Sequence, residues 1–155
     1  MTPRGAPAGG AAASYSEQPV AYLTRAAEIS AAHRLASAAL SDDENRRTYG
    51  KCANPNGHGH NYRIEVTVRG RIDARTGTVI DLALLDRVID EQVVARLDHR
   101  HLDLDVPQFR DRVSTGENIA LVVWNLLEPA LPEGLLWRVR VVETSNNSFE
   151  YGRNL

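Results

Sequence analysis

Apolar and polar residues alternate along three stretches of the chain, which is the pattern of a β-strand with one buried face. These stretches are residues 20–33, 62–69 and 137–143. A shorter run at residues 149–151 follows a turn of Ser and Asn residues and predicts a fourth strand. Residues 78–80, which come directly after a hairpin-like turn, predict a short return strand.

Two other stretches have apolar residues at helical spacing. The first begins after Asp81, a residue type that caps helices, and extends to about residue 97. The second begins at residues 114–117, Ser-Thr-Gly-Glu, which have the form of a capping box, and extends to Pro129. Residues 36–56 are polar and predict a long irregular loop, and residues 102–107 predict an ordered loop that ends at a proline.

The order of these elements predicts the fold class. Strand, strand, helix, helix, strand and strand indicate an α+β domain, in which two helices pack on one face of an antiparallel four-stranded sheet. Residues 1–18 are rich in Gly, Pro, Ala and Ser without apolar periodicity, and we expect a disordered tail there. Residues 19–155 then form a single domain, a length that suffices for a substantial core.

Composition and charge narrow the classes of function. The formal net charge of −2 gives no reason to expect nucleic acid or an anionic membrane as a partner. The longest apolar runs are far shorter than a membrane span. The single cysteine cannot form an intramolecular disulfide, and the tail lacks the apolar core of a secretion signal. We therefore expect a cytoplasmic protein.

Residues 52–62 contain the only cysteine and two of the five histidines, and they are the strongest functional signal. In an extended chain His58 and His60 project from the same face about 7 Å apart, a separation that a metal ion can bridge. Zinc prefers imidazole and thiolate ligands, and a catalytic zinc keeps three protein ligands. His33, on the apolar face of its strand, is the best candidate for the third. The alternatives are a chance His-x-His on a surface strand and a hydrogen-bonded core histidine at position 33.

Glu143 is the second unusual residue. It shares parity with Trp137, Val139 and Val141, so it belongs to the face that these residues bury. A carboxylate in that position is costly unless it is paired or binds a ligand. A salt bridge to an arginine of the same domain and a functional role are both open at this point.

Several motifs together resemble the 6-pyruvoyltetrahydropterin synthase family and its relative, the 6-carboxytetrahydropterin synthases of queuosine biosynthesis. They are Ser-Ala-Ala-His-Arg-Leu at 30–35, the segment 52–62, Leu-Asp-His at 97–99, residues 114–118 and Glu-Thr at 143–144. The resemblance covers residues 20–152 and implies the T-fold. In that fold three protomers join their sheets into a barrel, and two trimers stack into a homohexamer.

The resemblance also implies a metal centre and catalytic groups. His33, His58 and His60 correspond to the ligands of one zinc ion per protomer. Cys52 corresponds to the catalytic base.

A proton relay and a substrate pocket follow from the same resemblance. Asp98 and His99 correspond to a relay that a neighbouring protomer contributes. Glu143 corresponds to the carboxylate that anchors the guanidine-like edge of a pterin, and Thr115 and Glu117 are further candidates for that pocket. Gly116 stands where animal members commonly have a second threonine, which removes a hydroxyl contact.

The implied activity is that of a lyase acting on 7,8-dihydroneopterin triphosphate, with magnesium assisting at the triphosphate. The five residues between Cys52 and His58, together with residues 102–107, favour the branch that forms 6-pyruvoyltetrahydropterin with elimination of triphosphate. The Ala- and Arg-rich composition is typical of bacteria, where formation of the 6-carboxy compound is common. A non-catalytic zinc-binding module is the third alternative, and Cys52 with the Asp98-His99 pair counts against it.

Overall fold

A five-stranded sheet forms the centre of the protein in a computed structural model that describes residues 18–154. Its strands are β1 (Val20–His33), β2 (His58–Arg71), β3 (Arg100–His101), β4 (Leu136–Val142) and β5 (Ser148–Gly152). They lie in the order β3-β1-β2-β4-β5. The four predicted strands are confirmed as antiparallel neighbours, and β3 adds a two-residue strand parallel to the end of β1. The predicted tail lies outside the described residues, apart from Gln18.

The alternation along β1 and β2 buries the face that the pattern predicts. Along β1 the exposed fraction falls toward the C-terminal end, where His33 is buried with the same parity as the apolar residues before it. In β2 the corresponding residues from Tyr62 onward are fully buried. The two strands pair over their whole length, so that His33 lies directly opposite His58. Both strands therefore bring their histidines to one end of the sheet.

Five helices accompany the sheet within residues 18–154. They are α1 (Asp42–Tyr49), α2 (Leu82–Ile89), α3 (Ala95–Leu97), α4 (Leu102–Asp105) and α5 (Gly116–Leu127). The two predicted helices correspond to α5 and to α2 with α3, which a π-helical turn at Asp90–Val94 connects. Their apolar residues and the buried face of the sheet form one core. None of the helices in the described chain has the length and apolar character needed to cross a membrane.

A side-chain cap sets the first residue of α2 and of α5, the elements that contain the two predicted helices. Asp81 caps α2, because its carboxylate accepts from the Ala83 N–H. At α5 the predicted capping box is wrong, because the cap is Thr115, whose hydroxyl accepts from Asn118 N–H. Ser114 lies one residue earlier with its side chain turned into the core, where it is fully buried.

Three predictions outside the main strands and helices need correction, two of them loops and one a strand. Residues 36–56 contain α1 and a 3₁₀ turn at Gly50–Ala53, and Ser41 with Glu44 forms a true capping box at the start of α1. This helix is polar on nearly every side and buries only Asn45, so it has no apolar period to detect. Residues 78–80 form no strand, because the chain continues directly to the cap of α2. Residues 102–107 hold α4 and the start of a 3₁₀ turn.

Candidate metal centre and active site

Three imidazoles converge at the end of the sheet where β1 ends and β2 begins. His33, His58 and His60, called here the histidine cluster, each offer a ring nitrogen, and these nitrogens all lie within 4.8 Å of one another. Nε2 of His33 is 3.1 Å from Nε2 of His58. The antiparallel register places these two residues opposite each other, and the period of two in β2 places His60 on the same face.

The hydrogen bonds of His33 determine which of its nitrogens is free. Its Nδ1–H donates to the Ser114 carbonyl oxygen at 2.8 Å, which leaves Nε2 with a lone pair. The side chain is only 1% exposed, and this burial lowers its pKa from the ordinary value of 6.5. Burial also lowers the pKa of His58, and the neighbouring His60 adds to that effect. Both rings are therefore held neutral, as metal ligands must be.

The histidine cluster fits a zinc ion. Ligand nitrogens at about 2.0–2.1 Å from one tetrahedral zinc lie roughly 3.3 Å apart. The His33 and His58 nitrogens, 3.1 Å apart, match this spacing, and all three nitrogens lie within 4.8 Å of one another. The buried Nδ1 of His58 has no hydrogen-bond partner among the described residues, which gives this ring an unused polar atom. Three imidazoles match the donor set of a catalytic zinc site, which keeps three protein ligands.

Glu143 lies beside the histidine cluster, directly after β4. Its side chain is 12% exposed, and Oε1 is 3.8 Å from His60 Nε2 and 3.9 Å from His33 Nε2. Within residues 18–154 these imidazoles are the only basic groups within 4 Å of the carboxylate, so an arginine salt bridge does not explain its burial. The carboxylate is available to a cation or to a ligand that donates hydrogen bonds.

Cys52 and Tyr62 complete this end of the sheet. The Cys52 carbonyl accepts from Leu35 N–H at 2.9 Å, which holds the 3₁₀ turn against the chain just after His33. The Tyr62 hydroxyl is 3.3 Å from His33 Nε2. Burial raises the pKa of Tyr62, and the charges of Glu143, Asp103 and Cys52 add to the rise. Tyr62 is not among the site residues predicted from the sequence, although it shares its parity in the strand with His58 and His60.

Asp98 and His99 form a hydrogen-bonded pair just before β3. The Asp98 carboxylate lies 2.8 Å from His99 Nδ1 and accepts from Ser30 N–H at 2.7 Å. The hydrogen bond from Ser30 lowers the pKa of Asp98 most, and the contact with His99 lowers it further. The His99 side chain is 82% exposed. In the described part of the chain no hydrogen bond or ion pair joins this pair to Cys52 or to the histidine cluster.

The start of α5 contains the remaining candidates. Thr115 is partly buried and serves as the cap, and Glu117 is exposed in the first turn. Gly116 is buried beneath the ring of Phe149 on β5, so a Cβ at this position would lie 2.0 Å from the ring. Ser114, which orients His33, was not a sequence candidate, because 81 residues separate the two and no local pattern joins them.

Comparison with known proteins agrees with this geometry. The family model described as 6-pyruvoyl tetrahydropterin synthase matches residues 22–154. The 6-pyruvoyl tetrahydrobiopterin synthase of Homo sapiens is 51% identical over 131 residues, which are 84% of this chain and 90% of the human protein. The Drosophila melanogaster enzyme of that name is 49% identical over 138 residues, which are 88% of this chain and 82% of the relative.

A solved structure and a more distant relative extend the comparison. The structure of Caenorhabditis elegans 6-pyruvoyl tetrahydropterin synthase aligns with a TM-score of 0.85 and 43% identity, over 87% of this chain and 96% of that one. A putative 6-carboxy-5,6,7,8-tetrahydropterin synthase of Archaeoglobus fulgidus is 35% identical over 97 residues, 62% of this chain and 76% of the relative. The family match, the close relatives and the shared fold lead to one conclusion: the chain belongs to the 6-pyruvoyl tetrahydropterin synthase family.

Proposed function

We propose that this protein is a zinc-dependent 6-pyruvoyltetrahydropterin synthase. It converts 7,8-dihydroneopterin triphosphate to 6-pyruvoyltetrahydropterin and triphosphate, which makes it a carbon-oxygen lyase. The observation that carries the proposal is the histidine cluster beside the Glu143 carboxylate, in a chain of this family. Close relatives bear the name of the pyruvoyl-forming enzyme, and the putative 6-carboxy synthase is the more distant match.

Recognition of the substrate needs two features at this end of the sheet. The partly buried Glu143 carboxylate can accept two hydrogen bonds from the guanidine-like N2/N3 edge of a pterin. Thr115 and Glu117 at the start of α5 are further candidates for the pterin pocket. His33, His58 and His60 would hold the zinc, which supplies Lewis acidity toward the side-chain hydroxyls of the substrate.

The reaction requires proton transfers and no external hydride. Cys52 as the general base takes the proton from C1′, and protons added at C6 and N5 reduce the ring. The C1′ hydroxyl also loses its proton, so C1′ is oxidised to a ketone as the side chain gives up the two hydrogens that the ring gains. Removal of the C2′ proton with loss of triphosphate from C3′ then gives an enol, and its tautomerisation, in which C3′ takes up a proton, yields the second ketone and the methyl group. The tether between Cys52 and Leu35 supports the role of Cys52, since it keeps the thiol's loop at the end of the sheet that holds His33.

The proposed assembly is a homohexamer, a dimer of trimers, with Asp98 and His99 serving a neighbouring protomer's site. Two features support a shared site. The His99 side chain is largely in solvent in one chain. In the described chain β5 and most of β1 have one edge each without a strand partner, and such edges favour pairing with another copy.

We propose the cytoplasm as the compartment of this protein, where the Cys52 thiol stays reduced.

One incubation tests the activity. Zinc-loaded protein is mixed with 7,8-dihydroneopterin triphosphate and magnesium, and the products are identified by mass spectrometry. We expect 6-pyruvoyltetrahydropterin and free triphosphate, and a Cys52→Ala variant that keeps its zinc while losing roughly 10² to 10⁴ in rate. A 6-carboxy product with a two-carbon fragment would assign the alternative lyase. Bound zinc without release of triphosphate would indicate a binding module.

A further inference from the structure

Asp103 in α4 makes hydrogen bonds on both sides of His33. Its Oδ1 accepts from the Ser114 hydroxyl at 2.6 Å, and the carbonyl of the same serine accepts from His33 Nδ1 at 2.8 Å. Its Oδ2 accepts from Arg34 N–H at 2.7 Å. Ser114 and His33 are both buried, so water does not compete freely for these bonds. A single carboxylate thus fixes the backbone that follows His33 and the residue that orients its ring.

The same turn also contacts the segment that leads to His58. The ring of His101 packs on Gly57, with Nε2 3.2 Å from the position that a Cβ would take. Gly57 has a φ of +70°, and a side chain at this point would also meet the His33 carbonyl. His101 Nδ1 is 3.8 Å from Asp103 Oδ2. The residues around α4 therefore contact the chain next to two of the three imidazoles.

We propose that Asp103 is a positioning residue of the metal centre. Carboxylates behind metal-binding imidazoles fix the ring orientation, and their loss typically weakens metal affinity by about 10- to 100-fold. Here the effect passes through the Ser114 carbonyl and the Arg34 backbone. The inference rests on the proposed zinc site and adds a residue that does not touch the metal.

Asp105 offers a matched control. It lies in the same turn, is exposed, and accepts from His101 N–H at 2.8 Å without contacting Ser114 or Arg34. The experiment compares Asp103→Ala, Asp103→Asn and Asp105→Ala with the wild type. Zinc affinity is measured by chelator competition, and the unfolding temperature is measured on the metal-free proteins. The visible spectrum of each protein loaded with cobalt reports the ligand geometry.

We expect Asp103→Ala to weaken zinc binding about 10- to 100-fold and to change the cobalt spectrum. The zinc affinity of Asp103→Asn should lie between those of Asp103→Ala and the wild type. An amide oxygen can still accept from Arg34 while the amide nitrogen donates to Ser114. Asp105→Ala should bind zinc within about twofold of the wild type, even if its metal-free form unfolds at a lower temperature.

The contrary results are distinct. If Asp103→Ala lowers the unfolding temperature but binds zinc as tightly as the wild type, Asp103 only stabilises the α4 turn, and the inference is wrong. If Asp103→Ala does not fold, unchanged zinc affinity in both Asp103→Asn and Ser114→Ala overturns it. Wild-type protein that binds no zinc overturns the proposed metal function together with this inference. If the wild type binds zinc and the Asp103 variants bind it equally tightly, only this inference is overturned.

Discussion

The orientation and charge of a functional side chain at the sheet end depend on the groups that contact it. His33 is the clearest case, because the Ser114 carbonyl occupies Nδ1 and burial keeps the ring neutral. A histidine on an apolar strand is equally compatible with a core role, and this hydrogen bond leaves Nε2 directed at His58. The chemistry of the residue therefore depends on the atom that its neighbour leaves free.

The pKa values of His33 and His58 predict how the metal-free protein responds to acid. Both are lowered from 6.5 by burial, so between the folded and the ordinary pKa the unfolded chain binds more protons than the folded one. Stability is then lost as pH falls through and below about 6.5. The free energy of unfolding, measured with urea in the presence of a chelator from pH 8 to 5, should show this decrease. The slope of this free energy against pH should be shallower in His58→Ala. Equal slopes in the two proteins would contradict a role for His58.

Glu143→Gln tests the buried carboxylate. An amide has one acceptor oxygen and no charge, so a pterin should lose a charge-assisted hydrogen bond worth about 2 kcal/mol, roughly 30-fold in affinity. Titration with a pterin product measures the affinity, and thermal unfolding measures the stability. The control is Glu150→Gln, which changes a more exposed carboxylate on β5 that pairs with Arg138 and Arg140. A large drop in unfolding temperature with unchanged pterin affinity would make Glu143 a structural residue.

Among the elements, α5 packs against β5 through Gly116 and Phe149. The ring of Phe149 fills the space above Gly116, with three ring carbons 2.0 to 2.5 Å from where a Cβ would lie. From the sequence, Gly116 was expected only to remove a hydroxyl contact. The structure adds a steric reason for the glycine, since this position and position 149 share one volume.

This shared volume predicts a coupled pair. Gly116→Thr alone should destabilise the protein by about 1–3 kcal/mol, because the new side chain displaces the Phe149 ring. Adding Phe149→Val should recover part of that loss, so that the double variant is more stable than the sum of the single changes predicts. Urea unfolding of the four proteins measures the coupling. Additive effects would show that the ring moves away without cost.

On the scale of the whole molecule, the predicted relay is not joined to the metal centre of its own chain by a hydrogen bond or an ion pair. Cys52 and the histidine cluster lie at one end of the sheet, and the exposed His99 makes no such contact with them within residues 18–154. The proposed site shared between protomers accounts for this, because His99 then serves the neighbouring chain.

Mixed oligomers test the shared site. Equal amounts of Cys52→Ala and His99→Ala, each inactive alone, are unfolded and refolded together. Random mixing should pair an intact Cys52 with an intact His99 in about a quarter of the sites, because each contributing protomer is drawn independently. Activity should approach that fraction of the wild-type value. Verified mixed oligomers that stay at the background of the parents would place the relay within one chain.

The sequence by itself determined four of the five strands in the described chain, the two main helices and the three histidines that the fold brings together. The period of two in β1 and β2 is a local property, so the buried face, the position of His33 and the pairing of His58 with His60 on one face followed from it. Short motifs between residues 30 and 144 likewise identified the family, which comparison confirms.

Tertiary structure alone decided what surrounds those ligands. The polar helix α1 has no apolar period, and β3 exists only because Arg100 and His101 meet the end of β1. The contacts of His33 with Ser114 and of Arg34 with Asp103 join residues 81 and 69 positions apart. Such pairs produce no periodic pattern in the sequence, because their contacts depend on how the helices pack on the sheet and not on any local spacing.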